Sequence, residues 1–239
     1  MSRPRVTLLG APLDANSSHR RGAAKAPGHL RQEMDAGYTN MTSEAGLDLS
    51  APGLLDFLPD LPLSNAAGDT DFPAIQSGID AVLAARSKPL LIGGDHSVSL
   101  PALRAFAARD IQPVILHFDA HPDLYDRFDG SPWSHACPFS RILEEGLATR
   151  LIQIGVRTAN AHQRDQIERF GVECYEMKAL PDRLPIEASE TVYISFDMDA
   201  LDPSIAPGVS HLEPGGLSMR QALGYLQQIR GPVVGADIV

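Results

Sequence analysis

The sequence predicts an α/β fold built on a mostly parallel sheet, and three observations carry that expectation. Apolar runs of strand length recur along the chain, among them Val6-Thr7-Leu8-Leu9, Pro89-Leu90-Leu91-Ile92, Val114-Ile115-Leu116-His117-Phe118 and Thr191 to Phe196. Segments with helical spacing separate them at roughly 20–40 residues, the pattern of parallel βαβ units with helices on both sheet faces. Asp and His then collect where three of these runs stop, and in parallel sheets ligands bind outside the carboxyl ends of the strands.

The first run ends at Gly10, and a polar loop follows through Arg20-Arg21-Gly22-Ala23. A helix is expected from Pro27 to Met34, with the proline in its first turn. Residues 46–73 are rich in Leu, Pro, Asp and Gly and admit a short strand or a surface excursion. Ile75, Ile79, Val82 and Leu83 give helical spacing over 74–86, and strand 89–92 comes next. A second helix is expected over 100–108, then strand 114–118, a long loop over 124–137 and a helix over 138–145. Strand 151–155, a polar helix over 159–169 and a short strand over 172–175 continue the alternation. After strand 191–196 and a Pro/Gly-dense loop, a helix is expected from Ser218, as N-cap, to Ile229. Val233 to Asp237 begins a last strand.

With no internal repeat, low-complexity tract or linker, the 239 residues are expected to form a single domain. The net charge of −10 opposes nucleic-acid binding, which needs a basic footprint, and is compatible with a cationic small substrate. Cys137 and Cys174 lack CxxC spacing, which fits a cytosolic (cytoplasmic) protein with reduced thiols. The N-terminal Met1-Ser2-Arg3-Pro4-Arg5 precedes only a strand-length apolar run, so neither a signal peptide nor a membrane span is expected.

The three strand ends carry Gly93-Gly94-Asp95-His96-Ser97, Asp119-Ala120-His121-Pro122-Asp123 and Asp197-Met198-Asp199. The candidate metal ligands are His96, Asp119, His121, Asp123, Asp197 and Asp199: four carboxylates, two imidazoles and no thiolate. A structural zinc site usually recruits Cys, and magnesium prefers oxygen alone. A mixed oxygen and imidazole set suits manganese or another first-row ion. Six ligands exceed the needs of one open ion and suit two, about 3.5–4 Å apart, which lower the pKa of a shared water toward neutrality. Asp123 is a candidate to orient that water as well as to bind metal. His135, in the loop after the central motif, is a candidate proton shuttle. Each residue taken alone also has a plain reading: an Asp after a strand as a turn or helix cap, Gly93-Gly94 as a tight turn, His135 as a surface histidine. His117 and His211 read as structural or outer residues. The joint recurrence at three strand ends favours a metal site and a hydrolase.

Together these motifs resemble the ureohydrolase family of arginases, agmatinases and formiminoglutamases. The resemblance covers nearly the whole chain and includes Gly10-Ala11-Pro12-Leu13-Asp14 with Arg20-x-Gly22-Ala23, the Gly-Gly-Asp-His-Ser and Asp-Ala-His-Pro-Asp segments, and Ser195-Phe196-Asp197-Met198-Asp199-Ala200-Leu201-Asp202-Pro203. It implies a three-layer αβα sandwich with a parallel sheet of about eight strands. It also implies two manganese ions and hydrolysis of a guanidino or amidino C–N bond. By matching motifs, His96 and Asp123 would bind one ion, His121 and Asp197 the other, with Asp119 and Asp199 as further ligands. His135 would occupy the place of the family's catalytic histidine. Homo-oligomers, trimers or hexamers, are implied as well.

Three departures bear on the substrate. Tyr125 stands where arginases usually carry Asn, which is closer to agmatinases. The stretch Ala206-Pro207-Gly208-Val209-Ser210 resembles some formiminoglutamases, and His211 replaces a small polar residue near the substrate. The family's last strand usually runs into a guanidinium-gripping Glu, Asn-Pro and a final helix, a pattern whose Glu would follow Val239. The leading expectation is an agmatinase-like enzyme releasing urea from a guanidino substrate. The alternatives are a formiminoglutamase-like enzyme releasing formamide, and a metal-binding scaffold with little catalysis.

Overall fold

A computed structural model describes residues 5–239. The N-terminal stretch read for a signal peptide lies, apart from Arg5, outside the described residues. Eight strands form one sheet in which every pairing is parallel. In chain order they are β1 (Val6–Gly10), β2 (Leu55–Phe57), β3 (Lys88–Ile92), β4 (Val114–Phe118), β5 (Arg150–Val156), β6 (Glu173–Glu176), β7 (Val192–Phe196) and β8 (Val233–Ile238). Their order across the sheet is β2-β1-β3-β8-β7-β4-β5-β6. The last strand in sequence therefore sits in the middle, between β3 and β7. Six α-helices connect them: α1 (Ala26–Asp35), α2 (Phe72–Ala84), α3 (Ser99–Ala107), α4 (Pro138–Glu144), α5 (Ala161–Phe170) and α6 (Met219–Leu226).

Side-chain alternation along each strand divides the core in two. On one face Leu9, Leu91, Ile115, Leu151 and Tyr193 pack with Phe72, Ile75 and Ile79 of α2, Leu103 and Phe106 of α3, and Phe139 and Ile142 of α4. On the other, Val114, Leu116, Phe118, Ile152, Ile154 and Phe196 pack with Ala222 and Tyr225 of α6. The expected αβα layering is the observed one.

Local chemistry explains most element ends. Prolines occupy the first turns of α1, α2 and α4, where a missing N–H costs no helical bond. The Asn160 side chain caps α5 by accepting from Gln163 N at 3.0 Å, and Gly171 ends it with φ 64°. Ser218 and Gln221 form a capping box at the start of α6. That helix ends at Leu226, three residues before the expected Ile229. Gln228 N and Ile229 N bond to Tyr225 O and Leu226 O, so the last turn tightens into i→i+3 bonding. The ambiguous stretch 46–73 holds β2, three residues at the sheet edge, before α2 begins at Phe72. No described helix is long and apolar enough to cross a membrane.

Candidate metal centre

The ends of β3, β4 and β7 bring all six predicted ligand residues together. β3 leads through Gly93-Gly94 to Asp95 and a single 3-10 turn, His96–Val98. The glycines do more than turn the chain: a Cβ on Gly94 would lie 1.8 Å from Leu13 O, so its bareness lets the loop after β1 cross here. That loop is clamped from both sides. Asp95 N donates to Leu13 O at 2.7 Å, and the buried Asp95 carboxylate accepts from Asn16 N at 2.9 Å.

The His96 ring is buried between the three ligand segments, 1% exposed. Its Nδ1 lies 3.1 Å from Asp119 Oδ2, 3.2 Å from Asp123 Oδ2 and 3.3 Å from Asp197 Oδ2. The same nitrogen has no hydrogen-bond partner of acceptable geometry. Asp119 lies between the two ligand histidines. Its Oδ1 accepts from His121 N at 2.6 Å and stands 3.2 Å from His121 Nδ1. His121 Nδ1 is also 3.1 Å from Asp199 Oδ2. Asp197 Oδ1 accepts from Asp199 N at 2.8 Å, which fixes the spacing of the last pair. Asp123 adopts φ 50°, a left-handed conformation that Asp tolerates better than most residues, and this turns its carboxylate inward.

Electrostatics follow from crowding four carboxylates around two imidazoles. Burial opposes charge on His96, but the closeness of the Asp119, Asp123 and Asp197 carboxylates outweighs it and raises its pKa well above the usual value. Burial likewise opposes charge on His121, while Asp119 and Asp199 push it up to about 12. Burial and the neighbouring charges of Asp197 and Asp119 push Asp199 well up. Such a cluster attracts positive charge strongly. The lone imidazole nitrogen facing three carboxylate oxygens has the shape and donor chemistry of a divalent-cation site. The residues present fit the implied group.

His135 lies outside the cluster but lines the same cavity, of about 760 Å³, as His96, His121, Asp123, Asp197 and Asp199. Its Nε2 is hydrogen-bonded to Ser18 Oγ at 2.8 Å, and its ring stacks on His211 with centroids 5.7 Å apart. Asp119 alone of the predicted ligands is not in the cavity wall; it supports the floor from behind.

Several residues of the centre carry no assigned role in the sequence reading. His117, read there as structural or outer, lies with its Nε2 2.8 Å from Asp119 Oδ2. Gln153 Nε2 donates to His117 Nδ1 at 3.0 Å and to Pro122 O at 2.7 Å, which leaves the Nε2 proton of His117 for Asp119. A polar residue inside an otherwise apolar strand is the available signal for both. Glu213 reaches within 3.8 Å of His121 Nε2. Arg157 fixes the Glu213 loop, donating to Glu213 O at 2.6 Å and Asp199 O at 2.7 Å. The N-terminal motif is a lock on the cavity wall. Asp14 accepts from Arg21 Nη2 at 2.7 Å, Gly22 N at 2.7 Å and Asn65 Nδ2 at 3.0 Å.

Comparison with known proteins gives a consistent result. A family model described as the arginase family matches residues 4–239. The chain is 45% identical to arginase 2, chloroplastic/mitochondrial, of Arabidopsis thaliana, covering 98% of this chain and 72% of the relative. Identity to an agmatinase of Bacillus cereus is 30%, covering 98% and 82%. The solved structure of arginase from Medicago truncatula superposes with a TM-score of 0.92 at 41% identity, covering 99% of this chain and 79% of that one. The plant arginase shares more sequence with the chain than the agmatinase does.

Proposed function

We propose that this chain, which belongs to the arginase family, is a manganese-dependent ureohydrolase that cleaves a guanidino C–N bond and releases urea. The observation that carries the proposal is His96 Nδ1, without a hydrogen-bond partner, facing three carboxylate oxygens at 3.1–3.3 Å. By their contacts, His96 with Asp119, Asp123 and Asp197, and His121 with Asp119 and Asp199, would hold the ions, so that Asp199 stands beside His121 where the motifs implied Asp197. The single sheet supports reading the chain as one catalytic domain.

When bound, the two ions supply Lewis-acid activation of a water and of the guanidino group. The chain supplies the rest. Asp123, at the cavity wall, accepts a hydrogen bond from the attacking water and orients its lone pair toward the guanidino carbon. The water oxygen bonds to that carbon as one of its protons passes to Asp123 and on to solvent; the bond to the substrate's chain nitrogen then breaks, and the remaining proton leaves the oxygen as urea forms. That nitrogen needs a proton to leave as an amine. His135, lining the cavity and hydrogen-bonded to Ser18, delivers it and is reprotonated from solvent. Urea and a primary amine are the products.

The 45% identity to an Arabidopsis arginase supports arginine as substrate. Tyr125 favours agmatine as the second reading, because it replaces the Asn expected to hold an amino-acid end. Urea release from L-arginine and agmatine, and formamide release from a formimino compound, measured on the manganese-loaded protein, separate the cases. Urea from either guanidine supports the proposal. Formamide alone assigns a formiminoglutamase-like activity. Metal uptake without any turnover leaves a metal-binding scaffold and overturns the enzymatic reading.

A further inference from the structure

Behind the cavity, on the side of His96 away from the carboxylates, lies a buried polar array that the proposed reaction does not use. Asp237 sits on β8, in the run Val233-Val234-Gly235-Ala236-Asp237-Ile238, and is fully buried. Three hydroxyls surround its carboxylate. Ser99 Oγ and Tyr193 OH donate to Oδ2 at 2.9 and 2.8 Å, and Ser195 Oγ donates to Oδ1 at 2.6 Å. No lysine or arginine of the described residues pairs with it. A buried carboxylate without a cation is expensive, and hydroxyl donors alone offset that only in part.

We propose that Asp237 and Ser195 are positioning residues that set the tautomer of His96 and thereby its affinity for metal. The reasoning is a proton count. Asp237 accepts from all three hydroxyls through its two carboxylate oxygens. It takes the single Ser195 hydroxyl proton. The Ser195 oxygen then meets His96 Nε2 at 2.9 Å with only lone pairs to offer. Nε2 must therefore carry a ring proton, which leaves Nδ1 as the nitrogen whose lone pair an ion can take in place of a proton. That is the nitrogen facing Asp119, Asp123 and Asp197. A ligand histidine is oriented and made more basic by the acceptor bound to its other nitrogen. Here the acceptor is a serine backed by a buried carboxylate. His117 gives a contrast within the same centre. Its Nε2 is hydrogen-bonded to Asp119 and its Nδ1 accepts from Gln153, so both of its nitrogens have protein partners.

The inference rests on reading this cluster as a metal centre. It is tested by manganese affinity, from competition with a fluorescent chelator, in the full chain and its Ser195→Ala, Asp237→Asn, double and Tyr193→Phe variants. Each of the first two variants should weaken one of the two ions by about ten- to a hundredfold and spare the other. The double variant should lose no more than the worse single variant, since both act through one hydrogen-bonded chain. Tyr193→Phe removes a donor to Asp237 but leaves Ser195 in place. It should lower the unfolding temperature and leave affinity near the wild type. Wild-type affinity in Ser195→Ala overturns the inference, even if Asp237→Asn fails to fold. So do additive losses in the double variant, or an equal loss in Tyr193→Phe. A wild-type chain that binds two ions but releases no urea defeats the proposed function alone. One that binds none defeats both.

Discussion

Gln153 Nε2 bridges His117 Nδ1 and the carbonyl of Pro122, joining β5 to the residue between His121 and Asp123 in the central motif. Gln153 is fully buried, so no water replaces a lost donor. Gln153→Leu would leave the Pro122 carbonyl and His117 Nδ1 unpaired. The expected cost is about 1–3 kcal/mol. Urea denaturation of the metal-free protein measures it; an unchanged midpoint would mean that the bridge contributes nothing.

Gly94 is required by a close approach. A Cβ at this position would stand 1.8 Å from Leu13 O, so Gly94→Ala must push two backbone segments apart. The expected destabilisation is about 1–3 kcal/mol, with loss of metal affinity, because His96 is two residues away. Thermal unfolding and manganese binding read both effects. A variant with wild-type stability would show that the crossing is loose.

Asp123 and His135 should separate in their effects. Asp123→Asn is expected to lose most activity and some metal. His135→Ala should keep full metal content and lower the rate by about 10²-fold or more, the range of general acid–base contributions. Metal analysis beside steady-state kinetics distinguishes them. Loss of metal in His135→Ala would place that residue among the ligands.

The Asp14 lock gives a pH signature. Burial raises its pKa, but hydrogen bonds from Asn65, Arg21, Gly22 and Ala24 outweigh burial and lower it to about 2. A carboxylate depressed in the folded state stabilises above its unfolded pKa of about 3.9, and that stabilisation is lost as pH falls through the folded value. Wild type should therefore exceed Asp14→Asn in stability by about 1.5–3 kcal/mol at pH 6. The gap should close between about pH 4 and pH 2. A gap independent of pH would assign the effect to packing.

Much of this was legible locally. The three ligand segments follow buried strands, and both their chemistry and their placement at one sheet edge could be read from residue type and strand ends. Helix starts were readable where a capping residue stands alone, as at Ser218. Other features depend on distant partners. β2 is three residues among Pro and Gly, held by pairing with β1. The central place of β8 has no local sign, and with it goes the role of Asp237, whose hydroxyl partners lie 42, 44 and 138 residues away in sequence. An acid within an apolar strand was the visible trace of that array.

The most direct test of the central claim is manganese per chain and urea release from L-arginine, measured on one sample before chelation, after chelation and after manganese is restored. Two ions per chain are expected, with urea release that disappears on stripping and returns on reloading. Urea release that survives complete removal of metal, or a chain that retains no manganese, would contradict the account.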